Sequence, residues 1–254
     1  MIDCAPSSLK VLSHYGVGVD SIDIPAARKK SIVVCNTPGA NSISVAEMAM
    51  GLMLSLAKQI PLHDRHTRLG EWKRYPSMEL DGKTLGIIGF GAIGQALAKR
   101  ARAFEMNILA FDPFFSPQVG NAYDVRQTDL ETLLEESDFV SLHAPCTDET
   151  FHLMDAKKLS LMKSSAALIN VARGNLIDED ALYAALKNRT IAGAGLDVYC
   201  QEPAKSNKLF ELENIVFTPH CSANTPEACL KMGLMAVENA RKVLSGLPCA
   251  HILN

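Results

Sequence analysis

The stretch from Lys83 to Asp112, KTLGIIGFGAIGQALAKRARAFEMNILAFD, decides the fold. Thr84 to Ile88 is a short apolar run of the kind that forms a buried parallel strand. It leads directly into Gly89-Phe90-Gly91-Ala92-Ile93-Gly94, a G-x-G-x-x-G turn, followed by a helical pattern from Gln95 to Phe104. A second apolar strand, Ile108 to Phe111, ends at the acid Asp112. In such a unit the first glycine makes the tight bend, the second lets the backbone approach a pyrophosphate, and the third lets helix and strand pack closely. The helix N-terminus then faces the phosphate charge. A carboxylate at Asp112 accepts hydrogen bonds from ribose hydroxyls and repels a 2′-phosphate. The glycine pattern alone also occurs in ordinary tight turns, but strand, helix and terminal acid together predict a dinucleotide site that favours NAD over NADP.

Outward from this unit the alternation continues. Helical patterns at Leu130 to Glu136, Leu159 to Met162 and Asp180 to Leu186 each precede an apolar run: Phe139 to Leu142, Ala166 to Val171 and Ala192 to Leu196. A last short strand, Ile215 to Phe217, stops at Pro219. The six strand markers Leu85, Ile108, Phe139, Ala167, Gly195 and Val216 predict an α/β fold with a doubly wound parallel sheet of the Rossmann type over residues 44–224. Residues 1–43 differ: Lys10 to His14, a helical stretch around Pro25 to Lys30, and Ile32 to Cys35 make a unit with only two strands. Two parallel strands and one helix bury neither face of a sheet well. The helical pattern from Glu227 to Leu244, ending at Gly246, is expected to return and pack on it, so that residues 225–254 join residues 1–43.

Composition bounds the partners. The 254 residues carry 25 basic and 28 acidic side chains and a formal charge of −3, with no long block of either sign. Neither nucleic acid nor an anionic membrane surface is an expected partner. The seven cysteines are odd in number, scattered and without a C-x-x-C pair, which fits reduced thiols in a cytoplasmic protein and no metal centre. No run approaches the roughly 18 apolar residues of a membrane span. The closest, Val45 to Ile60, carries Glu47 and Lys58 and is expected to be a buried or subunit-interface helix, with Met48, Met50 and Met53 as packing residues.

Three polar residues stand at strand ends, where ligands of this fold sit. Arg173 follows Asn170-Val171-Ala172, and its planar fork suits a carboxylate. His220 follows Phe217-Thr218-Pro219, and histidine is the usual acid or base near neutral pH. Glu202, beside Pro203, can hydrogen-bond to His220 and favour the protonated ring. Each alone is also readable as an ordinary polar loop residue. Together they suit nicotinamide chemistry on a 2-oxo acid, which needs a cation, a proton donor and a group that tunes the donor.

The chain resembles the D-isomer-specific 2-hydroxyacid dehydrogenases, and is most similar to their phosphoglycerate dehydrogenase-like branch. The resemblance runs through Gly16-Val17-Gly18-Val19-Asp20, Asn36-Thr37-Pro38-Gly39, Ser44-Val45-Ala46-Glu47, the glycine turn, Leu142-His143-Ala144-Pro145, Asn170-Val171-Ala172-Arg173-Gly174, Gly195-Leu196-Asp197-Val198, Glu202-Pro203 and Thr218-Pro219-His220. It implies an oxidoreductase that interconverts a small D-2-hydroxy acid and its 2-oxo acid with NAD, of the hydroxypyruvate, glyoxylate and 3-phosphoglycerate class. In that reading Arg173 binds and polarises the substrate, Glu202 supports the histidine, and His220 exchanges the proton. Asp197 holds the nicotinamide carboxamide, Ala92 and Ile93 lie on the pyrophosphate, and the backbone at Val17 and Gly18 meets the substrate carboxylate. Ala144 with Pro145, Val171, Ala172 and Ala223 complete the cofactor pocket, which Arg173 and His220 also border.

The resemblance further implies a homodimer, with the apolar helix Val45 to Ile60 and Trp72 at the subunit contact. Relatives carry a further stretch before the Gly16 block, so the second unit is expected to be an incomplete, flavodoxin-like α/β substrate domain of a truncated chain. After His220 the chain reads Cys221-Ser222-Ala223-Asn224, where relatives often have a glycine or further small residues. Two alternatives stay open at this point: an NADH-binding corepressor-like regulatory protein, and a catalytically silent truncated form.

Overall fold

A computed structural model describes residues 2–254. They form two compact units, residues 45–222 and residues 2–44 with 223–254.

In chain order the helices and strands are β1 (Val11–Ser13), α1 (Ile24–Lys29), β2 (Val33–Cys35), α2 (Ser42–Ala57), α3 (Ile60–Arg68), β3 (Thr84–Ile88) and α4 (Ala92–Arg102). There follow β4 (Asn107–Phe111), α5 (Pro117–Ala122), β5 (Val125–Gln127), α6 (Leu130–Glu136), β6 (Phe139–Leu142), α7 (Ala156–Leu161) and β7 (Ala167–Asn170). The chain closes with α8 (Glu179–Lys187), β8 (Gly193–Leu196), β9 (Ile215–Phe217) and α9 (Pro226–Leu244).

The larger unit is built on a seven-stranded sheet in the order β5-β4-β3-β6-β7-β8-β9, every neighbouring pair parallel. The order reverses at β3, where the chain crosses from the β4 side to the β6 side. Doubly wound sheets bind nucleotides at the carboxyl ends of the strands beside that switch point. Every residue of β6, β7 and β8 is buried, which is why these strands read as apolar runs, interrupted only by Ser141 and Asn170. Helices α6, α7 and α8 cover them through a core that includes Leu133, Leu134, Leu159, Leu182 and Leu186. Each of the three begins at an aspartate, Asp129, Asp155 or Asp178, whose side chain accepts a backbone N–H of the first turn.

Two features depart from the sequence reading. The sheet has a seventh strand, β5, at its edge; Arg126 and Gln127 are exposed, so it carries no apolar run. Short, charged edge strands of this kind resist pairing with another chain. The helix expected from Val45 to Ile60 is α2 and ends at Ala57, and a further helix, α3, begins at Ile60 with a bend of 61° between them. Gln59 adopts φ 53° at the break, and Pro61 sits in the first turn of α3. Pro61 has no N–H to give to the carbonyl of Ala57, which instead accepts from Met78 at 2.9 Å. Val45, Ala46, Ala49, Leu52 and Met53 of α2 are buried at 4 % exposure or less. No single described helix is long and apolar enough to cross a membrane.

The smaller unit pairs β1 with β2 in parallel, Val11 opposite Val33 and Ser13 opposite Cys35. Ala27, Ile32 and Val34 form its buried centre. The long C-terminal helix bonds to it: Ser13 Oγ donates to Ala236 O at 2.7 Å, and Asn239 Nδ2 to Asn36 O at 2.8 Å. Cys35 pairs antiparallel with Ile252, and Asn254 bonds on both sides of Val33: Val34 N donates to its Oδ1 at 2.8 Å and its Nδ2 donates to Ile32 O at 2.7 Å.

Candidate active site

The glycine turn sits at the switch point, and its three glycines differ in what surrounds them. Gly89 has φ +92°, and a Cβ there would lie 2.6 Å from Ala144 N. A Cβ on Gly94 would meet Gly89 O at 2.4 Å, so the third glycine is what lets α4 lie against β3. Around Gly91 nothing lies within 4 Å of the same built atom. This open second position borders Ala92, which is exposed, and Ile93, which is half-buried. Unlike α6, α7 and α8, α4 begins at Gly91 with no side chain capping its N–H groups. Open space, free donors and the positive helix end together suit a pyrophosphate.

Asp112 stands at the end of β4. Its Oδ2 accepts from Phe90 N and its Oδ1 from Phe114 N, both at 2.7 Å, so the acid is fixed against the glycine turn. Each oxygen keeps a further acceptor site for ribose hydroxyls. Across the turn, His143 N donates to Ile88 O at 2.7 Å and brings half-buried Ala144 and exposed Pro145 beside Gly89. The His143 Nδ1 is buried without a hydrogen-bond partner, and burial pushes this imidazole down to about 3. These residues fit a dinucleotide.

Three strand-end loops carry the polar residues. After β7, buried Asn170 pins the turn: its Nδ2 donates to Arg173 O at 2.8 Å and its Oδ1 accepts from Ala172 N at 3.0 Å. Val171 is buried, and Arg173 Nη1 donates to Ala172 O at 2.6 Å. A Cβ on Gly174 would fall 1.9 Å from Tyr199 C, so the Arg173-Gly174 turn presses directly on the loop after β8.

That loop runs from Asp197 through Glu202. Tyr199 N donates to Glu202 Oε1 at 3.1 Å, while Glu179 at the start of α8 accepts from Cys200 N and Asn207 Nδ2, each at 2.9 Å. After β9, His220 N donates to Asp197 O at 2.8 Å, and His220 itself adopts φ 51°. The two loops thereby bring His220 Nδ1 to 2.6 Å from Glu202 Oε2. Burial, with the charges of Asp197 and Glu202, pushes the Tyr199 phenol up to about 12, so it stays protonated and donates to Thr218 O at 2.8 Å. A cleft of about 450 Å³ opens beside Glu202 and His220, walled by Tyr199, Phe210 and Phe217.

Asp197, expected at the nicotinamide carboxamide, directly follows β8. It has no exposed surface, and both carboxylate oxygens are taken up by Thr218, Cys221 and Ser222. These bonds tie Asp197 to the loop that carries His220. The roles of Tyr199, Thr218 and Ser222 were not read from the sequence, because their side-chain bonds link loops that are distant along the chain, and neither was that of Asn170, which pins its own turn.

Val17, Gly18 and Ala223 belong to the smaller unit. Gly16 N donates to Thr37 Oγ1 at 3.0 Å and Asn36 Nδ2 to Val17 O at 2.9 Å, which ties the glycine-valine loop to the end of β2. Ala223 packs against the cluster of Ala40, Ala228 and Met232.

Comparison with known proteins agrees with this arrangement. Residues 50–222 match the family described as D-isomer specific 2-hydroxyacid dehydrogenase, NAD binding domain. A D-3-phosphoglycerate dehydrogenase of Methanocaldococcus jannaschii is 47% identical over 249 residues, covering 97% of this chain and 48% of the relative. A glyoxylate reductase of Thermococcus litoralis is 45% identical over 248 residues, covering 94% of this chain and 75% of the relative. Among solved structures, a glyoxylate reductase from Paecilomyes thermophila superposes with a TM-score of 0.92 at 34% identity, covering 99% of this chain and 77% of the other. The chain spans about half the length of the curated phosphoglycerate dehydrogenases it matches. On this similarity and this geometry, the chain belongs to the D-isomer specific 2-hydroxyacid dehydrogenase family, with residues 50–222 corresponding to its NAD binding domain.

Proposed function

We propose that the protein interconverts a small D-2-hydroxy acid and its 2-oxo acid with NAD. The observation that carries this reading is the 2.6 Å pairing of His220 Nδ1 with Glu202 Oε2 on loops at the carboxyl edge of a dinucleotide-binding sheet. Because Nδ1 faces the carboxylate, Nε2 is the atom left to exchange a proton with the substrate oxygen. In the reducing direction His220 gives that proton to the carbonyl oxygen, and Glu202 stabilises the imidazolium beforehand. Arg173 attracts the substrate carboxylate and polarises the carbonyl beside it. Bound NAD supplies the hydride acceptor or, when reduced, the hydride itself. Gly89, Gly91, Ala92, Ile93, Gly94, Asp112, Ala144, Pro145, Val171 and Ala172 form the cofactor cradle, and Val17 and Gly18 offer backbone groups to the substrate.

Relatives named glyoxylate reductase, hydroxypyruvate reductase and D-3-phosphoglycerate dehydrogenase support these acids as the substrate class. All seven cysteines are unbridged, which supports a reducing, cytoplasmic setting. A homodimer is supported by Ile60, Leu69 and Trp72, which are 52, 68 and 82% exposed on and just after α3. Sedimentation at micromolar concentration checks it, and a monomer throughout would refute it.

The deciding experiment is calorimetric titration with NADH followed by hydroxypyruvate and glyoxylate. Binding followed by heat of turnover is expected. Binding without turnover on either acid would overturn the dehydrogenase reading and favour a regulatory role for the dinucleotide.

A further inference from the structure

We propose that Cys35 and Cys249 are a thiol pair that closes to a disulfide by exchange with a small-molecule disulfide of the oxidised-glutathione class, and reopens on reduction. Their sulfurs lie 4.0 Å apart although 214 positions separate the two residues in the chain. Both belong to the smaller unit. Cys35 ends β2, and its backbone pairs with Ile252, just beyond Cys249. Asn36 N donates to His251 O at 3.3 Å and Leu253 N to Val34 O at 2.9 Å, so bonds on both sides of Cys35 hold the segment that carries Cys249 against the strand. A disulfide brings its sulfurs to about 2.05 Å. Cys249 lies in the non-helical stretch between Gly246 and Ile252, where the backbone can follow a side-chain rotation through the remaining distance.

Access sets the order of the steps. Cys35 has no exposed surface, whereas Cys249 is half-buried between exposed Pro248 and Ala250. Burial and the neighbouring Cys249 also hold the Cys35 thiol up at about 11, so Cys35 does not attack first. The Cys249 thiolate attacks one sulfur of oxidised glutathione. That sulfur–sulfur bond breaks, one glutathione leaves, and the other stays on Cys249 as a mixed disulfide. With Cys249 capped, its charge no longer opposes ionisation of Cys35. Cys35 then gives up its proton and attacks Cys249 Sγ, and the second glutathione leaves. Two protein thiols are oxidised, one glutathione disulfide is reduced to two thiols, and both protons end on glutathione. The new bond fastens the C-terminal segment to β2 covalently where hydrogen bonds alone held it. Reversible pairs of this kind are how thiols report oxidation in a reducing compartment.

The test incubates the reduced chain with oxidised glutathione, blocks the remaining thiols with N-ethylmaleimide and digests with trypsin. Two of the seven free thiols should be lost, and peptides 31–58 and 243–254 should be recovered as one linked species that dithiothreitol separates. Because the bond closes a very long loop, the linked form should unfold at a higher urea concentration than the reduced form. Cys35→Ala should stop at the mixed disulfide and keep glutathione on Cys249. Cys249→Ser should leave Cys35 unmodified, since no reachable sulfur delivers the oxidant to it.

Absence of the linked peptides even in excess oxidised glutathione would overturn the proposal. Linkage of Cys249 to a different cysteine, or glutathione on Cys35 in Cys249→Ser, would do the same. Should Cys35→Ala not fold, the linked peptides of the parent and the Cys249→Ser result decide alone. None of these readouts uses turnover, so the thiol pair stands or falls separately from the dehydrogenase reading.

Discussion

His220 Nδ1 and Glu202 Oε2 stand 2.6 Å apart although 18 residues separate them in the chain, because the loops after β8 and β9 are tied together by backbone and buried side-chain bonds. A Glu202→Gln side chain still accepts a hydrogen bond from Nδ1 but brings no charge to an imidazolium. Proton transfer by a placed group contributes about 10²- to 10⁴-fold in rate. Losing the charge while keeping the geometry is expected to lower kcat about 10- to 100-fold. Steady-state oxidation of NADH by hydroxypyruvate measures it, and NADH affinity should be unchanged.

The glycine turn yields a paired prediction. Gly94→Ala places a Cβ 2.4 Å from Gly89 O, between backbone groups that have no room to give. Overpacking of this kind destabilises by about 1–3 kcal/mol, so the melting temperature should fall by several degrees. Gly91→Ala meets nothing within 4 Å and should melt close to the parent. Yet its methyl group occupies the space where a pyrophosphate approaches, so NADH binding should weaken at least tenfold. Thermal scans with calorimetric titration test both, and equal effects of the two variants on stability would contradict the assignment of roles.

Asp112 discriminates between dinucleotides by its charge. Asp112→Asn retains one acceptor for the backbone of Phe90 or Phe114 but loses the repulsion toward a 2′-phosphate and the charge-assisted ribose contact. Hydrogen bonds to a charged group contribute about 1.5–3 kcal/mol. The Kd for NADH should therefore rise about tenfold or more while that for NADPH falls, a crossing visible in parallel fluorescence titrations.

His143 makes folding sensitive to acid. Burial holds its imidazole at about 3 in the folded protein, against an ordinary value near 6.5. Above pH 6.5 the ring is neutral in both states and has no effect on the balance. As pH falls from about 6.5 to about 3, the unfolded chain takes up a proton that the folded chain does not, so stability drops by about 1.4 kcal/mol per pH unit over that window. Urea unfolding between pH 7 and pH 5 should show this slope, and His143→Phe should flatten it whatever its baseline stability.

Most of the architecture was legible because parallel strands buried on both faces are predominantly apolar. Phe139 to Leu142 and Ala167 to Asn170 are buried at every position, so their runs stand out without any periodicity. The edge strand Val125–Gln127 was not legible, because exposed Arg126 and Gln127 look like loop residues. The end of α2 at Ala57 was not legible, because the apolar run Val45 to Ile60 passes over Gln59, whose left-handed turn has no sequence mark. At the site, Arg173, Glu202 and His220 were visible as polar residues after strands. The inward turn of Asp197 was not, since it depends on Thr218 and Ser222 arriving from another strand, a relation with no local spacing.

The side-chain amide of Asn254 presents to Val34 N and Ile32 O the same acceptor and donor that a peptide group of a neighbouring strand would present. The edge of the small sheet is thus finished by a group that hydrolyses, unlike the backbone it imitates. Deamidation to aspartate would turn the Nδ2 donor into a second acceptor facing Ile32 O, and two oxygens would then repel where a hydrogen bond had been. Chemical ageing at this one amide would remove the bond to Ile32 O and leave the segment held to β2 by Leu253 N on Val34 O and by the Ile252–Cys35 bridge.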